Sequence, residues 1–162
     1  MIELNKKTQH DFLNRKWVQR LLDAGVDMSD AKYYIYTNPD NEKDYIGYKE
    51  QMDIKYALNC IPTYTVSELL YKLHEWIYPI IDGVEYSGPL TFLKDAPFYC
   101  FFYSLKSDID PETRKIKLKQ EYVSAGFDNP IESLASVLLQ CHQKDIGLEH
   151  KDTGNIQDKY NQ

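Results

Sequence analysis

Residues 71–79 read YKLHEWIYP. His74 and Glu75 open a pattern one residue away from HExxH, in which two imidazoles four positions apart on a helix hold zinc and the Glu serves as general base. Tyr78 stands where the second imidazole belongs, and Pro79 follows it. The other histidines, His10, His142 and His150, fall at no recognisable ligand spacing. His74 is therefore expected to be a buried structural residue at the edge of an apolar helix stripe, and no metal site is expected.

Other chemistry is sparse. Cys141 and His142 are adjacent, but neighbouring helix residues point about 100° apart and do not form a thiol–imidazole pair by themselves. Ser87-Gly88 lacks the surroundings of a nucleophile elbow, and no phosphate-cradling glycine pattern occurs. The carboxylate pairs Asp108/Asp110 and Glu42/Asp44 lie in loop compositions and read as solvated turn residues. No cofactor is expected, and the reading leans away from an enzyme.

The chain has 162 residues, enough for one domain with a real core. It is expected to fold over 1–148, with a polar, flexible tail at 149–162. Its 14 tyrosines outnumber 6 Phe and 2 Trp, which suits half-buried sheets and binding faces. A net charge of −6 argues against general nucleic-acid binding, which needs many phosphate-neutralising bases, and against docking on anionic membrane. The three cysteines are widely spaced and form no CxxC pair, so neither a disulfide framework nor a cysteine zinc site is expected. The start, MIELNKKTQHDF, has no signal-like apolar stretch, and no run approaches the roughly 20 apolar residues of a membrane span. Cytoplasmic residence is the expectation.

These residues must be positioned by a mixed set of elements. A first helix is predicted from Gln9 to Ala24, with Thr8 as N-cap and Gly25 as its stop. Strands follow at Ala31–Thr37 and Tyr45–Lys49; residues 50–59 are ambiguous. The second helix opens on the capping box Thr65-Val66-Ser67-Glu68 and carries Leu69, Leu73, Ile77 and Ile80 at helical period until Pro79 interrupts it. Three strands come next. The first lies within Val84–Leu93. The second is Pro97–Leu105, apolar on both faces and expected to be covered on both sides. The third is Lys115–Val123, with Ile116, Leu118 and Gln120 inward. A third helix opens on Asn129-Pro130-Ile131-Glu132, read as a capping box. The order α-β-β-α-β-β-β-α predicts an α+β fold with a mostly antiparallel sheet and helices packed on it.

Two surfaces are candidates for binding. Tyr34, Tyr36, Tyr45 and Tyr48 can present aromatic faces at one sheet edge, or pack across strands beneath a helix. Lys115, Lys117 and Lys119 form the one basic stripe, which can meet a ligand or guard an edge strand against unwanted pairing.

The segments WVQRLLDAGVDMSDAKYYIY, IPTYTVSELLYKL and NPIESLASVLLQCHQ, in this order, resemble small function-unknown proteins of gut Bacteroidetes and their phages and mobile elements. The resemblance spans about Gln9 to Gly147 and implies no activity. It suggests a phage or mobile-element accessory protein. The leading expectation is a non-enzymatic protein that binds another protein or itself. One alternative is a small hydrolase or nucleotide-handling enzyme with an unfamiliar site. Another is an antitoxin or regulator, since residues 98–143 resemble a HicB-type strand–strand–helix unit.

Overall fold

The computed structural model describes residues 2–48, 60–95, 98–121 and 129–144. Within them the fold is α+β, with antiparallel strands in two sheets. The limit near residue 148 and the tail lie outside the described residues, as do residues 50–59.

The first sheet is ordered β1 (Ile2–Glu3), β3 (Asp44–Tyr48), β2 (Tyr33–Thr37), β4 (Cys60–Thr63). Tyr, Ile and Thr dominate β2 and β3, as a half-buried pleated surface favours. Opposite residues such as Ile35 and Ile46 share a face. Pro62, which has no N–H to give, sits in β4 at the end of this sheet, where its loss of a ladder bond is tolerated.

Helix α1 is Arg15–Asp23, shorter than the predicted Gln9–Ala24. The backbone just before it is already committed. Phe12 bridges Thr65, the Leu13 N–H donates to the Tyr64 carbonyl, and Thr63 Oγ1 donates to the Leu13 carbonyl. Asn14 is therefore the N-cap, its Oδ1 accepting from the Trp17 N–H. Thr8 instead closes the turn after β1, accepting from the Asn5 N–H and donating to the Glu3 carbonyl. Gly25 takes the predicted left-handed conformation, at φ +87°.

Helix α2 is Val66–Lys72 and has the predicted capping box in full. It stops well before Pro79. Leu73 turns extended, and residues 76–77 and 80–81 become strands β5 (Trp76–Ile77) and β6 (Ile80–Ile81). Both lie along β7 (Val84–Asp95) in one continuous register: Trp76 faces Pro89, Ile77 faces Gly88, Ile80 faces Glu85 and Ile81 faces Val84. They are one edge strand interrupted at Pro79. The Pro79 carbonyl accepts from the Tyr86 N–H, but the proline has no N–H to return. Asp82 and Gly83, at φ +52° and +76°, make the tight turn from β6 into β7.

The second sheet continues from β7 to β8 (Phe98–Ser107) and β9 (Leu118–Glu121). β8 is central, as predicted, but only one face is fully covered: Tyr103, Leu105 and Ser107 are buried, while Ser104 and Lys106 on the other face are exposed.

Helix α3 (Pro130–Gln143) follows the predicted stripe. Its Glu132 does not complete a capping box. The carboxylate accepts from Asn14 Nδ2 at 2.9 Å, while Asn129 caps its own helix through the Ile131 N–H and donates to the Gln9 carbonyl. Each cap asparagine thus uses its oxygen locally and its amide N–H₂ to tie the two helix entries together. α3 contacts β8, α1 and α2, and α1 contacts β4. One core, including Leu21, Ile35, Leu69, Leu105, Leu134 and Leu138, joins both sheets to the helices.

Candidate interaction surfaces

HEWIY is not helical. Helix α2 ends at Lys72, Glu75 lies in a bend and Trp76–Ile77 are strand, so His74 and Tyr78 do not stand one turn apart on the single helix face that an HExxH site requires. His74 is buried, as expected, and its carbonyl accepts from the Tyr103 hydroxyl at 2.7 Å. Among the described residues no group of three or more His, Cys, Asp or Glu is arranged to hold a metal ion. Ser87-Gly88 lies inside β7.

Cys141 is buried in α3 while His142 is exposed, so the adjacent pair points apart. Burial pushes the Cys141 thiol far above its ordinary range, and burial raises that of Cys60 as well. A raised thiol pKa lowers the thiolate fraction at neutral pH, and the thiolate is the reactive form. A C60S/C100S variant, left with Cys141 alone, is expected to be inert to a thiol reagent when native and to react fully in denaturant. Rapid native reaction would contradict the burial.

One carboxylate of each predicted pair is engaged by the fold, and Glu42 and Asp108 are exposed. Asp44 begins β3 rather than lying in a solvated turn. It binds Arg15 at 3.0 Å and accepts from the Thr37 hydroxyl at 2.7 Å. Asp110 accepts the backbone N–H groups of Glu112 and Thr113, and these bonds hold its carboxyl below the usual range. Burial and the neighbouring Asp30 raise the Tyr64 phenol, which donates to Asp30 at 2.6 Å. Lys72, the last residue of α2, pairs with the same Asp30 at 3.1 Å.

The tyrosines do not line an edge. β2 lies between β3 and β4. By the strand register, Tyr34, Tyr36 and Tyr45 project from one face of the sheet and Tyr48 from the other. Tyr36 is 1% exposed and stacks on Tyr45 at a centroid distance of 5.7 Å. Tyr48 is 49% exposed; it packs on Tyr33, and their hydroxyls lie 3.2 Å apart. Cross-strand packing accounts for these contacts.

The three lysines also differ from the predicted stripe. β9 begins only at Leu118, and Tyr122 and Val123 lie outside the described residues. Register opposes Leu105 to Lys119 and Lys106 to Leu118. Lys119 therefore shares the covered face with Leu105, near the Tyr86 ring and 4.0 Å from Asp82, while Leu118 turns outward. This is the reverse of the predicted alternation. The buried row Tyr103-Leu105-Ser107 of β8 decides the register, and a one-residue slip exchanges every inward and outward side chain. Lys115 and Lys117 lie before the strand and are exposed.

Residues 107–117 form an arm that extends the β8–β9 hairpin. The Ser107 N–H donates to the Lys117 carbonyl and the Lys117 N–H donates to Ser107 Oγ. Further out, the Asp110 N–H donates to the Lys115 carbonyl and the Arg114 N–H to the Asp110 carbonyl. On and beside this arm Ile109, Ile116 and Leu118 are 62%, 46% and 76% exposed. Among the described residues, Lys106, Arg114, Lys115 and Lys117 reach no carboxylate within ion-pair distance. The sequence reading missed the aliphatic trio by placing Ile116 and Leu118 inward. The available signal was the polar pair Ser104 and Lys106, which betrays an open face on β8.

Among the described residues no helix is long and apolar enough to cross a membrane. No protein family, curated protein or solved structure matches the chain.

Proposed function

We propose that this protein is a non-enzymatic interaction protein that binds another protein through the arm at residues 106–118. The observation that carries this reading is the aliphatic trio Ile109, Ile116 and Leu118, exposed on a segment that also bears Lys106, Arg114, Lys115 and Lys117. Exposed large aliphatic groups gain only when covered, at roughly 25 cal/mol per Å², and three of them fall on one short arm, where singly scattered ones would need no explanation. The resemblance to phage and mobile-element proteins supports an accessory role, in which such a surface engages a component of the host or of the element.

A photo-crosslinking residue at position 109 tests the reading against one at Lys16, an exposed position on α1. In extract from the source cells, position 109 is expected to yield a discrete adduct and position 16 none. Identical patterns from the two positions, or no adduct from 109, would overturn it.

A further inference from the structure

The arm also has an open backbone edge. Lys117 spends its N–H and C=O on Ser107. In an antiparallel pair the bonding direction alternates along the chain, so the main-chain groups of Ile116 and Leu118 face away from β8. The N–H and C=O of Ile116 meet no partner among the described residues. β9 is the last strand of its sheet among the described residues. Lys115-Ile116-Lys117-Leu118 thus combines an outward edge, without a partner among the described residues, with alternating cationic and aliphatic side chains.

Resting on the proposed interaction role, we infer that residues 115–118 accept an added strand from a partner protein, and that this strand alternates acidic with apolar side chains. An added strand gains affinity from main-chain hydrogen bonds and specificity from alternate side chains. Carboxylates opposite Lys115 and Lys117, with aliphatic groups opposite Ile116 and Leu118, form favourable cross-strand pairs. A second copy is a poor occupant, because self-pairing of this edge sets lysine against lysine, and like charges directly opposite repel. Polyanions are disfavoured because three acids, Asp108, Asp110 and Glu112, share the arm and the chain as a whole is at −6. Lys119, facing inward, bounds the site at its far end.

The probe is a labelled peptide alternating Glu and Ile, followed by fluorescence anisotropy on the full chain. A Lys/Ile peptide, single-stranded oligothymidylate and phosphatidylserine vesicles serve as comparisons. Saturable binding of the Glu/Ile peptide alone is expected, weakening with added salt. Reversing charge in K115E/K117E is expected to weaken it about tenfold. Ile116→Pro removes an outward N–H, a change an edge tolerates, and is expected to abolish binding while the circular dichroism of the chain is unchanged. Ile116→Ala, which keeps the N–H, is expected to retain part of the affinity. Binding indifferent to both Ile116→Pro and K115E/K117E would overturn the inference, as would no binding or a preference for oligothymidylate, vesicles or the Lys/Ile peptide. A discrete adduct from position 109 to a partner without an acidic strand sinks this inference and leaves the interaction role standing. Failure of both experiments removes both.

Discussion

Gly88→Ala is expected to lose about 4 kcal/mol or more of stability, a large part of the roughly 5–15 kcal/mol a domain holds. A Cβ at Gly88 would stand 1.8 Å from the Ser104 carbonyl oxygen and 2.7 Å from its carbon. Both are backbone atoms, so no rotamer change relieves the clash. β7 and β8 would have to part at this point, disturbing the flanking pairs Ser87–Lys106 and Leu90–Tyr103 and the attachment of β5 through Ile77. Urea denaturation should show an early or absent transition. Gly83→Ala is the control. Its φ of +76° strains a side chain, but no atom lies within 4 Å, so about 1 kcal/mol is expected. Equal midpoints for the two variants would contradict the close approach of the strands.

Leu134→Ala is expected to cost about 3 kcal/mol, within the range for deleting a buried leucine. Leu134 is fully buried in α3, the helix that meets β8, α1 and α2. Alanine is the better helix former, so any loss measures packing and not helix propensity. Leu139→Ala, on the half-buried flank of the same helix, should cost clearly less. The check is a lower denaturant midpoint with an unchanged m-value. A loss at Leu139 equal to that at Leu134 would mean that α3 is not the centre of the core.

Capping chemistry made much of this fold legible. Thr65 and Glu68 mark the start of α2, Asn129 and Pro130 that of α3, and Gly25 the end of α1, because each answers a local need of the backbone. The weak points were segments whose partners lie far away in sequence. Leu73, Ile77 and Ile80 satisfy a helical period, yet Ile77, Pro79 and Ile81 satisfy a period of two equally well. The aromatic and β-branched content of residues 76–81 and the Asp82-Gly83 turn favoured the strand. Of the candidate site, Lys115 and Lys117 were visible as bases, but the aliphatic groups beside them were assigned to the wrong face.

The sequence by itself therefore determined the fold class, the starts of α2 and α3 and the absence of an HExxH pair, since these depend on residue type and near neighbours. Only the tertiary structure decided that Trp76–Ile77 of HEWIY joins an edge strand, that Lys119 turns inward, and that Ile116 and Leu118 face out. Each follows from pairing with β7 or β8, and the register of a strand is set by the partner that buries one of its faces.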